Sequence, residues 1–203
     1  MSPTDAAPPR ARVAEARRNR RNLVAAAARA FASGDRRVPL DAIAKEAGVG
    51  IATLYRHFPT REALVEAVYR DQVERLRTGA EELLAAHPPA RAMRLWMDLF
   101  ADWAATKHGM IETLRAIVSS GRLEFDQMRA ELVAIVSTFL DAGAAAGDIR
   151  SDVDASDVGA TLAGILVVAG APEQRDQAAR MLNLLMDGLR PPAPHTQLPG
   201  ARP

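Results

Sequence analysis

Residues 38–64, VPLDAIAKEAGVGIATLYRHFPTREAL, decide how the rest of the chain is read. Leu40, Ile43, Ala44 and Ala47 recur at helical spacing, and Asp41 falls in the first turn, where a carboxylate offsets the positive end of the helix dipole. Gly48 stands just past the last of them, where a left-handed backbone ends a helix and glycine adopts it without steric cost. Val49, Leu54 and Phe58 then give a second short helix its inner face, leaving Thr53, Arg56 and His57 on the outer one, and Pro59 stops it. Two short helices joined by a tight turn are the layout that lays one helix into the major groove of duplex DNA.

Outward from this motif the pattern stays helical. A first helix is expected over residues 13–32, with Leu23, Val24, Ala27, Ala30 and Phe31 as its buried stripe and Arg17, Arg18, Arg20 and Arg21 near its start. Thr60 caps a long helix over residues 60–85, and His87-Pro88-Pro89 breaks the chain. Met93, Trp96, Met97, Phe100 and Trp103 mark the next helix, followed by a separate short one over 110–118. Further helices are expected from Phe125 to about 143, from Asp154 or Ser156 through Val168, and from Pro172 to Leu189. No stretch alternates with period two for long enough to make a strand. The fold class is therefore all-α: an arm at 1–12, a three-helix helix-turn-helix domain at 13–62, a larger helical regulatory and dimerisation domain at 63–190, and a tail at 191–203.

Composition narrows the function. The 203 residues are 48% hydrophobic and contain no cysteine, which removes disulfides, thiolate metal sites and cysteine nucleophiles. The N-terminal stretch lacks the apolar core of a signal peptide, and no run of 18 apolar residues occurs, so a cytoplasmic protein with no membrane partner is expected. The net charge of +1 hides an asymmetry: residues 1–78 hold 15 Lys and Arg against 9 Asp and Glu, the remainder 11 against 16. The basic half is the half with the helix-turn-helix, as a polyanion partner requires. Only Lys45 and Lys107 are lysines, so phosphate contacts fall to arginine. The chain has no nucleotide-binding loop and no GxSxG, and His108 and Glu112 find no third metal ligand, so neither an enzyme, nor a metal, nor a cofactor is expected.

Ile43-Ala44, Ala47-Gly48-Val49, Thr53-Leu54-Tyr55, His57-Phe58 and Arg61-Glu62-Ala63-Leu64 resemble, at matching spacings over residues 19–70, the DNA-binding domain of TetR-family transcriptional regulators. Two positions depart from the family pattern: Gly50 stands where Ser or Thr is usual, and Ala52 where Gly is usual. The resemblance implies that Tyr55, His57 and Arg61 hold phosphate. Thr53, flanked by Gly50, Ile51 and Ala52, reads base edges, and Arg56 has the reach and fork for guanine. Arg18 and Arg21 would reach phosphate or the minor groove from the first helix.

One such unit buries little surface on DNA, so two are expected to act on a two-fold symmetric site. The dimer surface is assigned to the last two helices, through Leu162, Ile165, Val168, Met181, Leu185 and Met186, with Gly159, Ala160, Ala163 and Gly164 allowing close approach. The resemblance further implies a small-molecule effector. Its candidate pocket is Trp96, Met97, Phe100, Trp103, Met110, Phe125 and Met128, since aromatic and methionine side chains concentrate there. The sum is a homodimeric repressor released from a palindromic operator by a ligand. The alternative is a DNA-binding or architectural protein that answers to no ligand.

Overall fold

The computed structural model describes residues 9–33, 38–121, 125–169 and 172–191; of Pro9, Ala11, Phe125, Met128 and Pro172 it describes the backbone alone. Among the described residues there are eight α-helices and no strand. They are α1 (Pro9–Ala32), α2 (Leu40–Glu46), α3 (Ile51–His57), α4 (Arg61–Ala86), α5 (Pro89–Ser119), α6 (Phe125–Ala146), α7 (Ala155–Ala169) and α8 (Arg175–Gly188). The all-α expectation holds.

The chain gathers into two compact units. The first takes the residues up to Arg75 together with Asp102–Phe125, and the second takes Leu76–Ala101 with the residues from Asp126 onward. Both α4 and α5 contribute to each unit, so the compact units do not follow a single cut of the chain.

In the first unit α1, α2 and α3 pack on one another. Leu23, Ala26, Ala27 and Phe31 of α1, Ile43 and Ala44 of α2, and Leu54 with Phe58 of the α3 segment are all buried. Leu64, Val65, Val68 and Tyr69 of α4 join that core. Gly48 has φ +72° and donates its N–H to the Lys45 carbonyl, the left-handed turn that the sequence requires between α2 and α3. The Thr60 hydroxyl accepts the Ala63 N–H at 3.2 Å and so caps the start of α4.

In the second unit Trp96 is wholly buried. Its indole N–H donates to the Leu76 carbonyl at 2.9 Å, and its ring meets Phe100 (5.5 Å between centroids) and Phe139 (5.4 Å). Such a buried Trp requires a partner for its one polar atom, and the α4 backbone supplies it. Leu162 of α7 and Leu182 of α8 are buried where those two helices pack together.

Three elements differ from the sequence reading. α1 begins at Pro9 rather than Val13, because proline fits a first turn whose N–H groups have no helical acceptor. The last segment opens as a 3-10 turn, Pro172–Gln174, before α8 starts at Arg175. The expected break before Met110 is absent: α5 runs unbroken for 31 residues through Gly109. Glycine inside a helix costs about 1 kcal/mol relative to alanine. Here a Cβ at Gly109 would overlap the carbonyl oxygen of Phe31 outright and lie 2.9 Å from its carbonyl carbon. Gly109 is thus a packing residue at a helix crossing within the first unit, and not a helix terminator.

Candidate nucleic-acid interface

α3 is seven residues long and splits cleanly into two sides. Leu54 and Phe58 are buried, whereas Ile51, Ala52, Tyr55 and Arg56 are exposed, Tyr55 by 49% despite its large ring. Thr53 and His57 lie between these extremes. An exposed isoleucine and tyrosine on a two-turn helix represent apolar area that the monomer leaves in water. Gly50 occupies the N-cap position with φ −72° and ψ 151°; its carbonyl accepts the N–H groups of Thr53 (2.9 Å) and Leu54 (3.2 Å), and no side chain caps the helix. The conformation suits any residue, and a Cβ at Gly50 would meet nothing within 4 Å.

His57 is half-buried. Its Nε2 is buried and has no hydrogen-bond partner among the described residues. Burial, followed by the nearby charges of Arg56 and Arg20, lowers its pKa below the ordinary imidazole value, so the ring favours its neutral form. A phosphate oxygen close to this ring would oppose the charges of Arg56 and Arg20.

Arg17, Arg18, Arg20 and Arg21 of α1 are all exposed. Arg20, which the sequence reading left unassigned, places its guanidinium 5.1 Å from the centre of the Phe58 ring and within electrostatic reach of His57. The signal for it was present: Arg20 stands three residues before Leu23 and so shares the face of α1 that packs toward the motif. Arg61 looks into its own unit. Its Nη1 donates to the Val38 carbonyl at 2.7 Å, and its guanidinium lies 5.5 Å from the Phe31 ring.

The remaining candidate residues are distributed as follows. Trp96, Met97 and Phe100 are buried in the second unit; Trp103 and Met110 are buried in the first. The side chains of Phe125 and Met128 lie outside the described residues. Of the residues assigned to the dimer surface, Leu162 and Ile165 are buried within the chain, Met181, Leu185 and Met186 are partly exposed, and Val168 is exposed. Val167, at 86%, and Leu184, at 70%, are more exposed than any of these, and the sequence reading had passed over both. Ala160, Ala163, Gly164, Val167 and Val168 are all exposed at helical spacing, forming one uncovered stripe along α7.

Residues 23–68 match the model for bacterial regulatory proteins of the tetR family, and residues 88–191 match that for the SbtR-like transcriptional regulator C-terminal domain. The chain belongs to the TetR family of transcriptional regulators. It is similar to the TetR transcriptional regulator SCO0520 from Streptomyces coelicolor, with 48% identity over 86% of this chain and 99% of that one, and a TM-score of 0.79. It also resembles the TetR transcription regulatory protein from Mycobacterium vanbaalenii, at 35% identity over 87% and 98% of the two chains, with a TM-score of 0.67. The ketosteroid transcriptional regulator KstR2 of Mycobacterium tuberculosis shares the fold, at 18% identity, 85% and 95% coverage and a TM-score of 0.58. Among curated proteins none matches the chain. This TetR-family protein is thus a DNA-binding transcription regulator; family and structural relatives are regulators and not enzymes. Among its described residues no helix is long and apolar enough to cross a membrane.

Proposed function

We propose that this TetR regulator is a homodimeric repressor in the cytoplasm that holds a palindromic operator through two copies of α3 and releases it when a small molecule binds. The observation that carries the reading is the sidedness of α3, with Leu54 and Phe58 locked in the core and Ile51, Ala52, Tyr55 and Arg56 turned out. In this reading Thr53 and Arg56, beside Gly50, Ile51 and Ala52, meet base edges, while Tyr55, His57, Arg18 and Arg21 bind phosphate. Arg61 acts at one remove, by tying the start of α4 to Val38 just ahead of α2.

Two such helices reach successive major grooves when held about 34–36 Å apart. The uncovered stripe of α7, with Leu184 and Met181 of α8, supports pairing through that face. Buried Leu162 and Ile165 would back it from inside. A ligand empties the operator by favouring the conformer with the wrong spacing, and complete switching requires roughly 10⁴-fold preference between conformers.

Binding-site selection with the purified protein tests the DNA half of the proposal, and the expected product is one palindrome. Recovery of unrelated sequences with equal strength would instead favour an architectural protein. Sedimentation of Val167→Asp and Leu184→Glu tests the dimer. Each buries a charge if the face pairs, so monomers and an operator affinity lower by about a hundredfold are expected, equivalent to about 3 kcal/mol. Dimers that persist in both variants would remove α7 and α8 as the pairing surface.

A further inference from the structure

The outward side of α3 changes character along its length. At about 100° per residue, Ile51, Tyr55, Ala52 and Arg56 fall in that order across one arc of about 140°. These are the exposed residues of the helix, and buried Leu54 and Phe58 take the opposite side. The second turn of the exposed face is polar, with a phenol at Tyr55 and a guanidinium at Arg56. The first turn is not. Gly50 has no side chain, Ile51 and Ala52 carry only carbon, and the first polar side chain, Thr53, is half-buried at the margin of the face. A Cβ at Gly50 would meet nothing within 4 Å, so the space ahead of this turn is open. Ile51 itself leaves 41% of its surface in water.

A base edge is recognised either by hydrogen bonds or by apolar contact. The major groove displays one apolar group that tells bases apart, the C5-methyl of thymine. Phosphates and the amino and carbonyl groups of the other base edges require hydrogen-bonding partners. An isoleucine set against them would remove their water and return no bond. An exposed isoleucine beside an alanine, on a helix that enters the groove, therefore finds its matching surface in thymine. Covering Ile51 with a methyl group also recovers the cost of leaving it exposed in the free protein.

We infer that the first turn of α3 reads thymine by its methyl group, through Ile51 and Ala52, and that each operator half-site carries thymine under that turn. Hydrogen-bond reading then belongs to the second turn, about 6 Å further along the helix axis, or roughly two base-pair steps. The inference rests on the reading of α3 as the base-contacting helix and adds which chemical group that helix recognises.

The test uses the full-length protein and the operator recovered by binding-site selection. Each thymine of a half-site is replaced in turn by deoxyuridine, which deletes the methyl group and keeps every hydrogen-bonding atom. The same positions then receive 5-bromodeoxyuridine, which restores an atom of methyl size. Affinities are measured by fluorescence anisotropy for the parent, Ile51→Ala and Arg56→Ala. In the parent, deoxyuridine under the first turn should weaken binding by about fourfold per position, and bromodeoxyuridine should restore it. Ile51 is exposed, so its truncation leaves the core of the motif in place. Ile51→Ala should bind the thymine and deoxyuridine operators within about twofold of each other. Arg56→Ala should bind both more weakly, with the fourfold ratio preserved. A selected half-site without thymine, a parent that ignores deoxyuridine at every position, or an Ile51→Ala protein that keeps the full ratio would overturn the inference and leave sequence-specific binding intact. A ratio lost in Arg56→Ala as completely as in Ile51→Ala would also overturn it, by moving thymine reading to the second turn. Selection that recovers no preferred sequence is a separate failure, that of base reading by α3 itself.

Discussion

The α-carbon of Gly109 rests against the carbonyl of Phe31, so that α5 meets the end of α1 backbone to backbone. The ring of the same Phe31 lies beneath the guanidinium of Arg61, which reaches on to the Val38 carbonyl. One residue of α1 therefore connects α5, the start of α4 and the segment that leads into α2. All of these contacts fall within the first unit.

Gly109→Ala should separate α5 from α1. The added methyl group has no flexible neighbour to displace, since the obstacle is backbone. Overpacking of this kind costs about 2 kcal/mol after the gain in helix propensity, a fall in melting midpoint of about 5 °C. Thermal denaturation followed by circular dichroism measures it. A midpoint equal to that of the parent would mean that the helices yield freely at this crossing.

Gly50→Ser should do the reverse. The N-cap position has an extended backbone and empty space where the side chain would stand. A serine hydroxyl there accepts an N–H of the first turn, worth a few tenths of a kcal/mol, or about 1 °C. The same hydroxyl is available to phosphate, so operator affinity should rise as well. Lower stability in this variant would show that the turn before α3 is more constrained than its dihedral angles indicate.

His57 sets the direction of a pH effect. Its pKa in the folded chain lies below the unfolded value of about 6.5. The unfolded chain therefore binds more protons over the interval between the two values, and stability rises with pH across it. His57 weakens the fold as pH drops through about 6.5 toward its folded pKa, and has no further effect above or below that window. Urea midpoints measured across this range should fall less steeply with acid in His57→Gln than in the parent. An identical slope in the two proteins would place the titration elsewhere.

Arg61 and Arg21 should separate stability from DNA binding. Arg61→Ala removes a charge-assisted hydrogen bond to a part-buried carbonyl, a loss of about 2 kcal/mol in urea unfolding. Arg21→Ala, on an exposed face, should leave the urea midpoint in place and reduce the slope of log affinity against log salt by about 1. The opposite pattern, with Arg61 altering the salt slope and not the midpoint, would assign Arg61 to phosphate.

Most of this architecture was legible in the sequence because helices announce themselves by period, and the order of the helices follows from Pro, Gly and the capping residues. The motif was clearest, since Gly48, Leu54 and Phe58 each satisfy a local requirement. The separate helix expected over 110–118 was wrong, and the reason Gly109 stands inside an unbroken α5 is a backbone 78 positions away, at Phe31, which no local pattern encodes. The apolar residues of α7 and α8 were legible as helical, but which of them point outward was not. α7 is hydrophobic nearly all round, so periodicity alone did not separate inward Leu162 and Ile165 from outward Val167 and Val168. The resemblance gives Arg61 to phosphate; its hydrogen bond to the Val38 carbonyl is visible only in three dimensions.

The bare valines of α7 and the leucine of α8 bear on the life of the polypeptide before it finds DNA. A solitary copy carries an oily strip that water disfavours, which in the proposed homodimer would favour pairing soon after the chain leaves the ribosome. Pairing in the proposed homodimer is second order in abundance, so at concentrations below its dissociation constant a modest drop in expression would thin out the competent species more than proportionately. Gene dosage and translation rate would thereby tune the regulator's output with no effector present.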